Sequence, residues 1–263
     1  MKKTFKAALA AALALGTAQV AHADLNINGA VGLPLNPTAQ IPDPGGIRLQ
    51  GNYFDGGDAG AGGTKFFGVT AAGRLADSWE INGGVNRLDG AGAGIDKTGI
   101  AIGAKYLFTK ESDPAGVRFA VGAGYDQALL KSYHVYGVAT KYLGAVSGNK
   151  VPVVGHLGLR YDHWGSVVDD SKVSVFAGAE VPLSRTGEFQ AVGEIQSKNV
   201  TGGKVPYSAS LRYRPAGKPF GISGGWQRQG VVSDGGFFVQ IGYTWGTGGS
   251  DAAPATGAAP APN

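Results

Sequence analysis

Apolar side chains alternate with small or polar ones along residues 236–245, GFFVQIGYTW. The apolar row is Phe237, Val239, Ile241, Tyr243 and Trp245, and the opposite row is Phe238, Gln240, Gly242 and Thr244. Because successive side chains of a β-strand point to opposite faces, this spacing predicts a strand with one apolar and one wetter face.

Similar segments recur along the chain, and after residue 23 there is neither a helical period nor an apolar stretch of transmembrane-helix length. The segments predicted as strands are 46–54, 64–75, 78–88, 97–108, 117–126, 133–143, 153–163, 172–181, 188–197, 205–214, 218–228 and 236–245. Each is close to the ~9–11 residues with which a tilted strand crosses a bilayer. The pattern therefore predicts an all-β fold, an antiparallel transmembrane β-barrel of about 12 strands over residues 46–245.

Aromatic side chains favour a membrane barrel over another kind of β-fold. In this topology they gather near both ends of the strands, where amphipathic rings settle at membrane interfaces. Strands of every kind are rich in aromatics, but most of these residues also share the outward-facing parity. Phe66 and Tyr136 blur the alternation in their segments.

The turn after the second predicted strand fixes a register. With a tight connector at Ala76 and Asp77, Arg74 and Glu80 become cross-strand neighbours on the inward face. We expect an opposite-charge pair there, of the kind that stabilises sheets modestly.

The first 23 residues have the three parts of a secretory signal peptide. Lys2, Lys3 and Lys6 form a positive region, residues 7–20 are apolar, and residues 21–23 match the A-x-A cleavage pattern. The apolar run is shorter than the ~20 residues of a membrane-spanning helix. We therefore expect the mature chain to begin at Asp24.

Composition excludes some classes of partner. The chain has 23 Lys and Arg against 19 Asp and Glu, and three of the lysines belong to the predicted signal peptide, which leaves 20 against 19. The basic charge is therefore no argument for a nucleic-acid partner. Without cysteine the chain has neither a disulfide framework nor a lipid-attachment site. Glycine, 46 of 263 residues, permits bends and close packing within strands.

Two segments flank the predicted barrel. Residues 24–45 are rich in Asn, Pro and Gly, and we predict either a periplasmic lead-in or a segment inside the lumen. Residues 246–263, GTGGSDAAPATGAAPAPN, contain too little apolar bulk to fold and are predicted to form a disordered tail.

Two resemblances add to this picture. The aromatic-terminated final strand with an upstream signal peptide resembles Gram-negative outer-membrane barrels, which implies the outer membrane as location, with outer-membrane lipid and the barrel-assembly machinery as partners. The sequence GLPLNPTA at 32–39, followed by DPGG at 43–46, resembles the G-L-x-x-x-P-T-A…G opening of barrel proteins linked to exopolysaccharide secretion. That resemblance implies a barrel associated with polysaccharide export. Members of that group are often lipoproteins, and this chain has no cysteine for a lipid.

No catalytic, cofactor or metal site is predicted. Outer-membrane phospholipases use a Ser two residues after a His, and none of the four His in this chain is followed by Ser at that spacing. Asp162-His163 resembles the acid and His pairs of outer-membrane proteases, but neighbours on a strand point to opposite faces. We therefore predict that the protein is not an enzyme.

Charged residues with inward parity are the candidate functional residues. The predicted lumen-lining set is Arg48, Arg74, Glu80, Lys105, Arg118, Arg160, Glu180, Glu194, Arg212 and Arg214. Such rings tune ion selectivity in an open pore or tie together a plugged interior. Because arginines gather near the predicted periplasmic end, we expect a weak preference for anions.

Three classes of function fit the sequence. We favour a non-enzymatic outer-membrane barrel, either a porin-like channel for small solutes or ions or a structural membrane protein. A barrel hydrolase is disfavoured by the missing His and Ser spacing. An exported soluble β-sandwich or adhesin would bury one face of its strands in a core, without outward aromatic belts.

Overall fold

The computed structural model describes residues 24–56, 63–90, 95–109, 116–128, 131–145, 151–165, 169–230 and 235–245. The predicted signal peptide, residues 1–23, and the predicted tail, residues 246–263, lie outside these ranges.

Twelve antiparallel strands form one closed barrel. They are β1 (Ile47–Asp55), β2 (Thr64–Ala76), β3 (Trp79–Gly90), β4 (Ile95–Leu107), β5 (Arg118–Asp126), β6 (Ser132–Ala145), β7 (Pro152–Trp164), β8 (Asp170–Pro182), β9 (Phe189–Gln196), β10 (Tyr207–Tyr213), β11 (Phe220–Arg228) and β12 (Gly236–Trp245). Each strand pairs with the next along the chain, and β12 pairs with β1. The prediction of an all-β, twelve-stranded antiparallel barrel is confirmed. Within the described ranges, no helix is long and apolar enough to cross a membrane.

The closing pair defines the two ends of the barrel. Ile47 lies opposite Trp245 at what we call the lower end, and Asp55 lies opposite Phe237 at the upper end. The segment GFFVQIGYTW is therefore the strand that closes the sheet. Closure leaves no unpaired sheet edge, which a barrel in lipid requires because the bilayer core offers no water to unpaired backbone groups.

The outer surface of the barrel is apolar. Along β10 the side chains alternate, with Ser208 and Arg212 buried inside and Leu211 62% exposed outside. Every strand contributes at least one large exposed apolar side chain, among them Val69, Ile102, Leu159, Val175 and Ile241. A soluble sandwich would bury such a face in its core, whereas a transmembrane barrel presents it to lipid.

Residues 24–46, called here the lumen segment, fill the inside of the barrel. Most of this segment is buried, and Val31, Leu33 and Ala39 have no exposed surface. The segment folds back on itself through two isolated β-bridges, Leu25 with Val31 and Gly32 with Pro37. Both of its ends lie at the lower end of the barrel, where it leads directly into β1.

Close contact between the lumen segment and the wall uses glycine at two places. Gly29 turns the segment with a φ of +97°, a left-handed conformation that glycine adopts without strain. On the wall, a side chain at Gly178 would collide with Leu33 of the lumen segment. Glycine at an inward-facing position therefore makes room for the segment.

Inward-facing apolar side chains form the core of the protein. Near the upper end one cluster combines Ile27 and Leu35 of the lumen segment with wall residues Phe54, Phe66, Leu88, Trp164 and Phe238, and with Val200. A second cluster combines Ala39 and Ile41 with wall residues Leu107, Ala120, Tyr136, Val138 and Phe176. Phe66 and Tyr136 broke the sequence alternation because they face the lumen segment.

The predicted register at the first lower-end turn is correct, but the expected ion pair is not formed. Arg74 and Glu80 are direct cross-strand partners. The Arg74 guanidinium instead donates to the backbone carbonyls of Ala76 (3.4 Å) and Asp77 (2.7 Å). Glu80 is fully buried and pairs with Lys105 on the next strand.

Candidate functional site

Glu194 on β9 holds the middle of the lumen segment. Its carboxylate accepts hydrogen bonds from the backbone N–H of Leu35 (2.7 Å) and of Asn36 (3.0 Å), and from the Asn36 side-chain amide (2.9 Å). Ser208 on β10 donates to the same carboxylate at 2.7 Å. A carboxylate can accept about four such hydrogen bonds, so these four donors use the full hydrogen-bonding capacity of Glu194.

Lys105 and Glu80 grip a second point of the lumen segment. The Lys105 ammonium lies 2.8 Å from the Glu80 carboxylate, and both side chains are completely buried. Lys105 donates to the carbonyl of Val31 at 3.0 Å, while the Val31 N–H donates to Glu80 at 3.1 Å. The ion pair thus satisfies the buried N–H of Val31 and adds a second hydrogen bond to its carbonyl, which also accepts from the Thr38 N–H at 3.1 Å.

Amide side chains fix the start of the lumen segment. Gln50 on β1 accepts a hydrogen bond from the Leu25 N–H at 2.9 Å and donates to the Leu25 carbonyl at 2.6 Å. Asn52 links Gln50 to Gln240 on β12, at 2.7 Å and 3.1 Å. These contacts join the segment to the pair of strands that closes the barrel.

A charged cluster surrounds Asp24 at the lower end. Arg212 contacts both Asp24 and Glu180, and Arg214 lies 3.1 Å from Asp24. Glu180 also contacts His156 at 3.2 Å. Burial alone would raise the pKa of the Asp24 carboxyl, but the attraction of Arg212 and Arg214 outweighs burial and lowers it.

The remaining predicted lumen residues lie at several depths. Arg160 donates to Asp162 at 2.7 Å and to the Leu35 carbonyl at 3.3 Å. Arg118 places its guanidinium 4.9 Å from the centre of the Tyr142 ring. Arg48 is buried beside the charged cluster of the lower end.

Nine of the ten predicted lumen residues are therefore less than a tenth exposed and face the interior. Arg74 is the exception, because its side chain stays on the turn at the lower rim. The other nine are dispersed over the length of the lumen, and most of them contact the lumen segment or each other.

Two small cavities border the lumen segment. One of about 20 Å³ lies at the lower end beside Asp24, Arg48, Arg214 and Lys218. The other, of about 30 Å³, lies at the upper end. Each has room for one or two water molecules.

The catalytic arrangement considered from sequence does not form. Asp162 points inward and is paired with Arg160, whereas His163 lies on the outer face and contacts Ser171 at 2.7 Å. His163 and Asp162 therefore cannot act together, as the strand alternation indicates.

Sequence reasoning missed the partners of the predicted charges. Val31, Leu35 and Asn36 contact the charged residues mostly through backbone groups, which a search for side-chain motifs does not detect. The signal that could have revealed a filled lumen was the row of large apolar residues at inward positions, since water in an open pore disfavours them.

Solved porin structures share this fold. A KdgM porin matches with a TM-score of 0.51 at 13% sequence identity, over 76% of this chain and 99% of that chain. The structure of KdgM porin in complex with disordered oligogalacturonate matches equally well. NanC porin matches with a TM-score of 0.50 at 13% identity, over 76% of this chain and 98% of that chain. No family model and no curated protein match the sequence.

The fold is accordingly a closed, twelve-stranded antiparallel barrel of the kind seen in the KdgM and NanC porin structures. The lumen is not an open pore lined by polar side chains, because the lumen segment fills it.

Proposed function

We propose that this protein is an outer-membrane, porin-like channel that its own residues 24–46 close at rest. The apolar outer surface and the barrel fold shared with KdgM and NanC porins support the location and the channel class. Folding into that membrane would use the barrel-assembly machinery, with residues 1–23 as the signal peptide.

The observation that carries the proposal is how the lumen segment is held. Glu194, Glu80 and Lys105 bind it through backbone groups and amide hydrogen bonds. Such polar contacts exchange for water at modest net cost, because a typical hydrogen bond contributes only ~1 kcal/mol to stability. These polar contacts would allow the segment to leave its site, at the further cost of separating the two apolar clusters that it forms with the wall.

Displacement of the segment would uncover a basic lower end. Asp24 belongs to the segment, so its departure would leave Arg212 and Arg214 facing the lumen beside Arg48. Rings of arginine favour anions. The anionic oligogalacturonate in the KdgM complex is a solute of that chemical kind.

Planar-bilayer recording tests the proposal with one variant and a matched control. Glu194→Ala removes the carboxylate that holds Leu35 and Asn36, whereas Asp96→Asn removes an exposed carboxylate that is paired with Arg87 at the surface. We expect rare openings for the full chain and for Asp96→Asn. We expect about tenfold more open time, with anion-selective reversal potentials, for Glu194→Ala.

A steady conductance of the unaltered protein equal to that of Glu194→Ala would contradict closure by residues 24–46. Cation-selective currents would contradict the proposed basic lumen.

A structural membrane barrel is the second candidate function. It is favoured by the dense packing of the lumen, in which apolar clusters reinforce the polar contacts. Heat-modifiable gel mobility first verifies that both variants are folded. If neither folded variant then conducts ions in planar bilayers, the result supports the structural function.

A further inference from the structure

The cavity at the upper end lies between the lumen segment and the wall. Its volume is about 30 Å³, and the residues that the argument uses are Asn28 of the lumen segment and Ser132, Arg160, Trp164, Asn199 and Gln229 of the barrel. All six are more than nine-tenths buried. The space accommodates about two water molecules, or one carbon group that bears a hydroxyl.

Three amide atoms of these residues have no hydrogen-bond partner within the part of the chain that the structure describes. They are Oδ1 of Asn28, Oδ1 of Asn199 and Nε2 of Gln229. Buried polar atoms are normally hydrogen-bonded, so this group requires an explanation. Two acceptors and one donor suit hydroxyl groups, because a hydroxyl both donates and accepts.

The cavity is not built for an ion. Arg160 is the one formally charged residue among those that line it, and its guanidinium already donates to Asp162 (2.7 Å) and to the Leu35 carbonyl (3.3 Å). The charge of Arg160 is therefore compensated by Asp162, and the lining offers no second charge to hold an ionic ligand. The chemistry of the lining favours a neutral ligand.

Trp164 contributes an apolar surface of fixed orientation. Its indole N–H donates to the backbone carbonyl of Asn199 at 3.0 Å, which holds the ring in place. Ile27 and Pro206 add further apolar surface. A few polar groups within an aromatic and aliphatic lining are typical of small-molecule sites.

We propose that this cavity binds the terminal, hydroxyl-bearing edge of a neutral sugar. This inference rests on the proposed function, because the sugar would be one of the solutes that reach the channel. Asn28 belongs to the lumen segment while Asn199 and Gln229 belong to the barrel, so the bound sugar bridges the two. Binding therefore stabilises the closed arrangement by mass action.

Fluorescence of Trp164 tests the proposal without ion flow. The chain has four tryptophans, and the combined substitution of Trp79, Trp226 and Trp245 by Phe leaves Trp164 as the only reporter. The full chain, refolded in detergent, is titrated with maltotriose as the neutral probe and with trigalacturonate as the acidic probe. We expect a saturable emission change with maltotriose.

Two cavity variants and one control locate the binding. Gln229→Ala and Asn199→Ala each remove one amide, and we expect either change to weaken maltotriose binding about five- to tenfold. Gln127→Ala removes an exposed amide at the same end of the barrel and should leave binding unchanged. Heat-modifiable gel mobility verifies that each variant is folded. If Gln229→Ala does not fold, Asn199→Ala alone tests the site.

Three results would overturn the proposal. The first is no saturable change up to about 50 mM maltotriose, a range that detects even weak binding and would mean that the cavity holds ordered water only. The second is binding that survives both amide substitutions, and the third is trigalacturonate binding as tightly as maltotriose. The failure of this proposal can be distinguished from the failure of the proposed channel function. If the protein showed no conductance in bilayers but maltotriose still changed the Trp164 emission saturably, the channel function would be contradicted and the sugar site would be supported.

Discussion

The two ends of the lumen hold the same segment by different chemistry. At the upper end Leu35 joins an apolar cluster that includes Phe66. At the lower end Asp24 lies between Arg212 and Arg214. Apolar contacts respond weakly to salt and pH, whereas ion pairs respond to both. The difference indicates that the ion pairs of Asp24 are the contacts that solution conditions can weaken, while the apolar cluster of Ile41 with Leu107 also holds the segment toward the lower end.

The largest expected effect is at the upper end. Phe66→Ala removes a ring that is 1% exposed, and we expect a loss of about 3–5 kcal/mol in the free energy of unfolding. The neighbouring Phe67 points to lipid and is 44% exposed, so Phe67→Ala is the matched control with a smaller loss. Guanidinium unfolding in detergent measures both, and equal losses would contradict the placement of Phe66 against the lumen segment.

A smaller effect is expected at the lower end. Asp24→Asn removes the charge between Arg212 and Arg214, and we expect a loss of about 1–3 kcal/mol at neutral pH and low salt. The loss should shrink as salt rises, because the ion pairs are near the barrel mouth. A salt-independent loss would mean that Asp24 acts through packing and not through charge.

The pH dependence of unfolding, compared between the unaltered protein and Asp24→Asn, tests the same ion pairs. The pKa of Asp24 is lowered in the folded protein, so its charge contributes stability above the unfolded value near 3.8, and that contribution is lost as pH falls through the folded pKa. We expect the unfolding midpoints of the unaltered protein and Asp24→Asn to converge below pH 4. A gap that persists in acid would contradict this sign.

The smallest effect is expected at the rim. Arg74→Gln should change the free energy of unfolding by no more than about 0.5 kcal/mol, because the side chain contacts only turn carbonyls at the surface. Unfolding in detergent again measures it. A loss as large as that of Asp24→Asn would mean that Arg74 pairs with Glu80 after all.

Strand alternation predicted the barrel and its closure because the side-chain period of two is a local property of the chain. The same rule placed Glu194 and Lys105 inside, but it could not name their partners. Those partners are backbone groups of Leu35, Asn36 and Val31, and their positions depend on how a segment without a period folds inside the lumen. The inward aromatics were visible in the sequence, and only their contacts with the lumen segment explain them.

Cysteine accessibility tests most directly whether residues 24–46 fill the lumen. The natural chain has no cysteine, so a single Ala39→Cys is the only thiol. Ala39 has no exposed surface, and its N–H donates to Thr140 of β6 at 2.9 Å. Lys218→Cys, in the exposed connector after β10, is the control.

With a hydrophilic thiol reagent, we expect the thiol at position 39 in the folded barrel to react at least about a hundredfold more slowly than the thiol at position 218. Both should react equally fast after unfolding. Equal rates in the folded protein would place the segment outside the lumen and contradict the account.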